Sequence, residues 1–412
     1  MRQRWLVLTD EGHHYIAAGL FREGQLELAL EQLKLMKTDG LKIRPWLADL
    51  ATYALSDSGE HHDALQVIKD QVTAGDLNIS KSVYSHVLDN ASSDFHHEAT
   101  SYCWRSQVSP GYLNPSAGLC LNVLTTAARA GDAPLATEVF HILGKRGTVF
   151  QPIHYEQLLC TYMSTSPPDL RAALTVLVIM AQVKLEPAPT STRPLLEYLR
   201  GNPDACLEAV EILTSLNHTG RLVPVAALNV VIEAHVQNRN LEQALIIYKA
   251  MHTFERLSAT EPHRPLATVE TFNHLLRGTY RASTIAAHET ALFLASEMLA
   301  LGIKPNALSY DRLIIVCLSA NRFDHAFRYF DEMDGLGFKP RQHTGYILAK
   351  DLASSGDDRC WDVLQRMQDH GPINTRWRVE IETAWIKWGT EADNSAVKAG
   401  IAEAGDHVNR SV

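Results

Sequence analysis

Cysteine and long apolar runs are both scarce in this sequence of 412 residues. Six cysteines are scattered along the chain and none forms a Cys-x-x-Cys pair, which indicates free thiols in a reducing compartment rather than a disulfide framework. The longest apolar candidate, AALTVLVIMAQV, has about 12 residues, whereas a membrane-spanning helix needs ~20. We therefore expect helices buried in a protein core and no membrane span.

Basic residues are fewer than acidic residues in this sequence. The sequence has 38 Lys and Arg against 47 Asp and Glu, a formal net charge of −9. This balance argues against a surface covered by positive charge, but it is compatible with one locally basic groove. The N-terminal stretch MRQRWLVLTDEGHH lacks both a secretory apolar region and an Arg- and Ser-rich amphipathic transit segment. We expect either a cytosolic protein or a chain that lacks its natural start.

The motifs of common catalytic sites are missing as well. The sequence has no G-x-x-x-x-G-K-[ST] loop, no G-x-G-x-x-G turn and no G-x-S-x-G elbow. Neither HEATS (97–101) nor HETAL (288–292) completes the H-E-x-x-H zinc motif. Histidine doublets begin at His13, His61 and His96; the last two are 35 residues apart, so a repeat explains them without a metal. We expect a protein that is not an enzyme and holds neither cofactor nor metal.

What the sequence does contain is a recurring amphipathic segment. Alanine is followed seven residues later by methionine, and the intervening apolar residues lie on one face of a helix. The small residue suits a close helix crossing, and the methionine fills space next to it. The pairs are Ala29/Met36, Ala173/Met180, Ala244/Met251, Ala291/Met298 and Ala326/Met333, with Cys360/Met367 as a variant.

A second amphipathic helix precedes each of these segments, as in YDRLIIVCLSANR and TFNHLLRGTYRA. Because one helical hairpin cannot bury its apolar faces alone, the pattern predicts an all-α fold, a right-handed α-solenoid of about ten stacked hairpins of 34–38 residues. We expect a lead-in at 1–8 and a repeat array at 9–375, with a capping helix and flexible tail at 376–412. The predicted units begin near residues 9, 44, 80, 117, 151, 188, 224, 268, 306 and 341.

The flanks of these units carry a family resemblance. Alanine precedes the closing proline by 14 residues, as from Ala326 to Pro340, whereas tetratricopeptide repeats place their proline about 12 residues after the corresponding small residue. The stretches GIKPNALSYDRLI and GFKPRQHTGYIL, with ATVETFNHLLRG, resemble the pentatricopeptide repeat. The resemblance is sharpest over residues 224–370, visible at 9–44 and degenerate between 80 and 223.

This resemblance implies RNA binding, with about one base addressed by each hairpin. In the family, the reading positions are the polar residue after the Tyr or Phe of the first helix and the residue that opens the next unit. Asn273 with Asn306 is the most legible pair here and is similar to pyrimidine-preferring pairs. The remaining pairs, which depart from the family's pattern, are Asn122 with Gln151, Glu156 with Ala188, Arg193 with Pro224, Asn229 with Thr268 and Asp311 with Arg341. We therefore expect short or shape-based RNA contact rather than a long sequence readout.

Arginines near the ends of the first helices could contact phosphate; the alternative is that they are ordinary solvated turn residues. The candidates are Arg129, Arg239, Arg277 and Arg281. The segment INTRWRVEIETAWIKWGTEADN places Trp377, Ile381, Ala384 and Trp388 on one helical face, which is typical of a cap over the last hairpin. A docking helix for a protein partner is the alternative.

Two functions follow as hypotheses. The first is a non-catalytic protein that binds single-stranded RNA in mitochondrial gene expression, acting in transcript stability, processing or translation; the location in the mitochondrial matrix is what the resemblance implies. The second is a protein-interaction scaffold, such as a mitoribosome-associated or respiratory-complex assembly factor. A basic stripe along the concave face would favour RNA, and a mixed or acidic face with exposed apolar residues would favour protein.

Overall fold

The structure is a computed structural model that describes residues 8–73, 79–254, 266–282 and 285–390, without the side chains of residues 281–282 and 285–286. Within these residues the regular secondary structure is helical throughout, so the predicted all-α fold is confirmed. Most of the predicted lead-in, the tail from residue 391 and most of the insertion after Phe254 lie outside the described residues. The chain divides into two compact units, Met1–Leu195 and Leu196–Val412.

The first unit is a stack of helical hairpins. Its pairs are α1 (Asp10–Arg22) with α2 (Leu26–Thr38), α3 (Pro45–Asp57) with α4 (His61–Thr73), α5 (Lys81–Ser93) with α6 (His97–Cys103), α7 (Ala117–Ala130) with α8 (Ala133–Lys145), and α9 (Pro152–Ser164) with α10 (Leu170–Gln182). Each first helix packs against its own partner and against the next first helix, so that α1, α3, α5, α7 and α9 form one continuous layer. Helix α6 continues as a π-helical turn over Trp104–Val108.

The second unit repeats this arrangement after α11 (Arg193–Leu199), which spans the division between the units. Helix α12 (Pro203–His218) follows, and then come α13 (Val225–Gln237) with α14 (Leu241–Ala250), α15 (Val269–Ala282) with α16 (Ile285–Ala300), α17 (Ala307–Ser319) with α18 (Phe323–Gly335), and α19 (Gln342–Ser355) with α20 (Arg359–His370). The first helices α13, α15, α17 and α19 pack side by side. Each unit is thus a helical-repeat stack of the solenoid class.

The recurring alanines and methionines are packing residues, as predicted. The alanines of the five Ala/Met pairs are at most 1% exposed and the methionines at most 3%. Ala326 and Met333 belong to a core cluster that joins α17, α18, α19 and α20. Their burial explains the spacing: both positions face inward on the second helix, where a small residue admits the neighbouring helix.

A last helix, α21 (residues 375–390), covers the final hairpin. Ile381 is fully buried in the core cluster of α17–α20, and Trp377, Ala384 and Trp385 pack against it. The Trp377 ring stacks on Tyr346 of α19, with ring centroids 4.9 Å apart. The apolar side of α21 therefore closes the hydrophobic core at this end of the stack.

Candidate nucleic-acid interface

One position of several first helices lies at the junction with the following hairpin. We call it the fifth position, because it lies five residues after the residue that caps the helix: His14 after Thr9, and Asp49 after Arg44. The backbone N–H of Arg44 donates to His14 Nε2 at 3.2 Å, and the backbone N–H of Ser80 donates to Asp49 Oδ1 at 3.0 Å. Both donors begin the next first helix, so each fifth-position side chain joins two successive hairpins.

The same junction bond recurs in the second unit with asparagine. In α15, Asn273 Nδ2 donates to Asn306 Oδ1 at 3.3 Å, and Ser309 Oγ donates to Asn273 Oδ1 at 2.9 Å. In α13, Asn229 Oδ1 accepts from Thr271 Oγ1 at 2.7 Å. Asn229 and Asn273 are 5% and 4% exposed. These amides, which the sequence offers as base readers, are occupied by bonds within the protein.

Asp311 and Arg341 form the next junction. Asp311 is 3% exposed, accepts from the backbone N–H of Arg341 at 3.4 Å, and lies 3.2 Å from Arg341 Nε. Burial raises the pKa of Asp311, although hydrogen bonds from Arg341 and Thr344 act in the opposite direction. At the end of the stack the fifth-position residue Tyr346 donates to Glu380 of α21. The bond between neighbours thus continues into the closing helix.

A second pair of positions meets across each junction: the ninth of one first helix and the sixth of the next, counted from the same capping residues. Tyr53 and His86 occupy them between α3 and α5, and their rings stack with centroids 3.9 Å apart and planes 8° apart. Glu233 and His274 occupy them between α13 and α15, with Glu233 Oε2 3.5 Å from His274 Nδ1. Burial lowers the pKa of His274, whereas the Glu233 charge raises it.

Between α15 and α17 these two positions are Arg277 and Arg312. They face one cavity of about 390 Å³ on the side of the first helices, and Arg341, which caps α19, faces it too. We call these three residues the arginine cluster. The rest of the cavity wall consists of Tyr280, Leu308, Asp311, Ile315 and Thr344.

The arginine cluster carries more positive charge than its carboxylates balance. Arg277 Nη1 lies 3.3 Å from Glu233 Oε1, and Arg341 pairs with Asp311. Arg312 donates to the Asn273 backbone carbonyl. Within the described residues no carboxylate lies at ion-pair distance from Arg312. Burial, and then the charges of Arg277 and Arg341, lower the pKa of Arg312 to about 10, so it is held in an environment that disfavours its own charge.

Asn122, Arg129 and Arg239 are not among the residues that line this cavity. In the first unit, Asn122 Nδ2 donates back to Ser93 Oγ of the preceding hairpin at 3.2 Å. The Arg129 guanidinium lies 3.5 Å from the centre of the Phe95 ring, a cation–π contact between hairpins. In the second unit, Arg239 is exposed in the turn after α13. The side chain of Arg281 lies outside the described residues.

Arg312, Ser309 and Thr344 are site residues that the sequence reasoning missed. Arg312 directly follows the fifth-position Asp311, and a rule that also tested the sixth position of one unit against the ninth of the unit before would have selected it. Ser309 and Thr344 both stand three residues after a capping residue, Asn306 and Arg341. That placement is a capping signal and is independent of ligand binding.

The histidine doublets take part in packing and ion pairs. His61 Nε2 lies 2.7 Å from Asp94 Oδ2, and His97 Nε2 lies 2.9 Å from Asp132 Oδ2. In the part of the chain that the structure describes, His, Cys, Asp and Glu side chains form no group of three able to hold a metal ion. No described helix combines the length and the apolar character that a membrane crossing requires.

Several solved structures are similar to this chain. The pentatricopeptide repeat protein PPR10 from maize is 16% identical over 98% of this chain and 65% of that chain, with a TM-score of 0.38. PPR10 in complex with an 18-nt psaJ RNA element is 15% identical over 92% of this chain and 61% of that one, with a TM-score of 0.35. This chain therefore spans less than two thirds of the PPR10 structures.

The PPR domain of Arabidopsis thaliana protein-only RNase P 1, in complex with tRNA, is 19% identical over 53% of this chain and 100% of that domain, with a TM-score of 0.38. Among curated proteins, none matches this chain. Two family models match it in separate places: a pentatricopeptide repeat-containing protein model over residues 117–251 and a PPR repeat model over residues 308–338. Over these two stretches the chain is similar to pentatricopeptide repeat proteins.

Proposed function

We propose that this protein is a non-catalytic repeat protein that binds single-stranded RNA along the first helices of its second unit. The observation that carries the proposal is the arginine cluster: Arg277, Arg312 and Arg341 face one open cavity on that side of the unit. Guanidinium groups are suited to phosphate because their planar donors bond two oxygens at once. The match of residues 117–251 and 308–338 to pentatricopeptide repeat models supports the same ligand, since repeats of this type bind RNA with about one hairpin per base.

The junction bonds support a binding mode with little base selectivity. Asn229, Asn273 and Asp311 are each at most 5% exposed, and Asn229 Oδ1, Asn273 Oδ1 and Asp311 Oδ1 each accept a hydrogen bond from the neighbouring hairpin. A base that used them would have to displace those bonds. Affinity then comes mainly from the phosphates, which carry no sequence information. A residual pyrimidine preference through Asn273 and Asn306 is the part of the family's readout that this chain retains in our proposal.

The cellular role that we propose is in mitochondrial gene expression, in the matrix, through the stability, processing or translation of a transcript. The match of two stretches to pentatricopeptide repeat models supports this role. No enzymatic step is part of the proposal.

A protein-interaction scaffold is the second candidate, and the outer side of α21 favours it. Val379 and Ile386 are 58% and 65% exposed there. Apolar side chains exposed along one helix suit a protein partner. The net charge of −9 is also compatible with a protein ligand.

The test is RNA binding by the purified chain, using pooled single-stranded RNA over a salt series. We expect binding that weakens steeply with salt and loses a modest pyrimidine preference in Asn273→Ala. If binding is salt-sensitive but unchanged by this substitution, the protein recognises only the RNA backbone and no base. If the wild-type chain binds no RNA at low salt, the proposal is wrong, and co-purification of a protein partner becomes the decisive measurement.

A further inference from the structure

We propose that Arg277, Arg312 and Arg341 form a seat for one phosphate group, and that the RNA backbone supplies that phosphate. This inference rests on the proposed function, and it specifies which part of the RNA is held and at which junction. The ligand group is a phosphate oxyanion, which the guanidinium groups bind. Either an RNA phosphodiester or a free phosphate ester can provide it.

Geometry is the first support. Three successive hairpins each send one guanidinium to the same cavity: Arg277 from α15, Arg312 from α17 and Arg341 from the cap of α19. The cavity volume of about 390 Å³ falls in the range of small-ligand sites, about 300–1,000 Å³. Leu308 and Ile315 form the apolar part of the wall, where charged groups interact more strongly than in open water.

Charge is the second support. The neighbouring carboxylates are already bound, because Glu233 accepts from Arg277 and Gln237, and Asp311 accepts from Arg341. Arg312 is left without an ion-pair partner among the described residues. Burial and the charges of Arg277 and Arg341 disfavour its charge, and the charges of Glu233 and Asp311 offset this only in part. Like charges held together in a half-buried place destabilise a free protein. An anion in the cavity would remove that cost.

Comparison with the preceding junction is the third support. The residues that correspond to Arg277, Arg312 and Arg341 one hairpin earlier are Glu233, His274 and Asn306, as their distances from the capping residues show. That triplet contains its own carboxylate, which lies 3.5 Å from the histidine. The packing of first helices therefore does not require arginine at these places. The triple of like charge is particular to the junction of α15, α17 and α19.

A phosphate explains the side-chain type better than an acidic peptide does. Three arginines can surround an anion that has several oxygens pointing in different directions, as a phosphodiester does. A carboxylate has only two oxygens, and Glu233 and Asp311 each pair with a single arginine of the cluster in this protein. An acidic protein segment is therefore an alternative for the experiment to exclude.

The experiment compares Arg312→Gln with Arg328→Gln in the full chain. Arg328 lies on α18, is 77% exposed and pairs with Glu332, so its substitution changes the net charge equally at a distant place. Binding of a single-stranded RNA oligomer is measured over a salt series. We expect Arg312→Gln to weaken binding about tenfold and to reduce the steepness of the log K against log salt line by about 0.7, the value for one phosphate on a single strand. Arg328→Gln should change neither quantity.

Arg312→Lys keeps the charge but not the planar fork, and we expect it to recover the salt slope but only part of the affinity. Thermal unfolding establishes that each variant is folded. Arg277→Gln, at a residue 37% exposed, provides the same salt-slope test if Arg312→Gln does not fold. If both cluster variants bind RNA with the same affinity and the same salt slope as Arg328→Gln, the proposed phosphate site is wrong. The proposed function would still stand in that case, provided that the wild type binds RNA.

Competitors assign the source of the phosphate. Inorganic phosphate and adenosine monophosphate, added at constant ionic strength, should displace the RNA only weakly, because the backbone presents many phosphates at once. Strong binding of either one that depends on Arg312, together with an unchanged RNA salt slope, would overturn the assignment to RNA. Arg312-dependent binding of a poly-glutamate peptide tighter than that of RNA would overturn it in favour of a protein. Absence of any RNA binding by the wild type would refute the proposed function itself.

Discussion

Gly131 ends α7 in a left-handed conformation, and it offers a quantitative test of how closely successive hairpins approach. Its φ is 69°, and a Cβ added there would lie 2.4 Å from the backbone oxygen of Ser164, the last residue of α9. Gly24, in the turn between α1 and α2, has φ 70° and no atom within 4 Å of such a Cβ. The two glycines thus have nearly the same backbone conformation and differ in one contact.

The expected energies follow from that difference. Gly24→Ala should cost only the left-handed conformation of an alanine, about 1–2 kcal/mol. Gly131→Ala should cost the same amount plus the displacement of the α9 backbone. Overpacking of this kind costs about 1–3 kcal/mol, and a backbone atom cannot turn aside as a flexible side chain can. We therefore expect Gly131→Ala to lower the free energy of unfolding by about 1–3 kcal/mol more than Gly24→Ala.

The assay is urea unfolding followed by circular dichroism, in which the midpoint reports stability as long as the slope is unchanged. Both variants should unfold at lower urea than the wild type, and Gly131→Ala at the lowest. Equal midpoints for the two variants would show that α7 and α9 do not approach as the structure has them. A wild-type midpoint for Gly24→Ala would instead refute the left-handed turn at that hairpin.

Two further predictions concern the second unit. Ala326 is fully buried between helices, so Ala326→Leu should lower the free energy of unfolding by about 1–3 kcal/mol. As a control, Ala300→Leu at an exposed position should change it little. Unchanged thermal unfolding of Ala326→Leu would contradict the helix pairing. Hydrogen bonds from Tyr346 and Lys350 lower the pKa of Glu380 from 4.5 to about 2. The pKa is lower in the folded state, so these bonds stabilise α21 fully above pH 4.5 and are lost as the pH falls towards 2. Tryptophan fluorescence should show α21 loosening over that interval, and Glu380→Gln should remove that part of the pH dependence; an identical pH profile in the variant would contradict it.

The helices and their inward faces could be predicted because each depends on a few neighbouring residues. Seven residues separate Ala326 from Met333, which is two turns of helix, so their shared burial follows from the sequence alone. The same holds for the apolar side of α21, where Ile381 is fully buried. Family resemblance added the positions at which a base could be read.

The junction bonds and the arginine cluster could not be predicted, because they depend on how one hairpin is rotated against the next. Arg277 and Arg341 stand 64 positions apart in the sequence and face one cavity only after three first helices have packed. Asn273 and Asn306, which the resemblance assigns to reading one base, are bonded to each other in the structure, and Ser309 is part of the same network. No feature of local sequence specifies such a third partner.

Proline altered the sixth hairpin in a way that the repeat count missed. Its first helix, α11, begins at Arg193, five residues after the start near 188 that the sequence predicts, and it has only 7 residues. Pro187 and Pro189 precede it, and proline disfavours a helical conformation in the residue before it. Glu156 receives a hydrogen bond from Ser191, which precedes α11. The degenerate part of the sequence is thus also the part where helix lengths change.

The fifth-position bonds involve side chains that the sequence predicts as base readers. Asn229, Asn273 and Asp311 each bond to the following hairpin. A designer who exchanged them to recode the protein for another transcript would alter its elasticity at the same sites. Each substitution at these positions would make one junction between hairpins more or less stiff. In this protein, a change of base preference and a change of stiffness would therefore occur together.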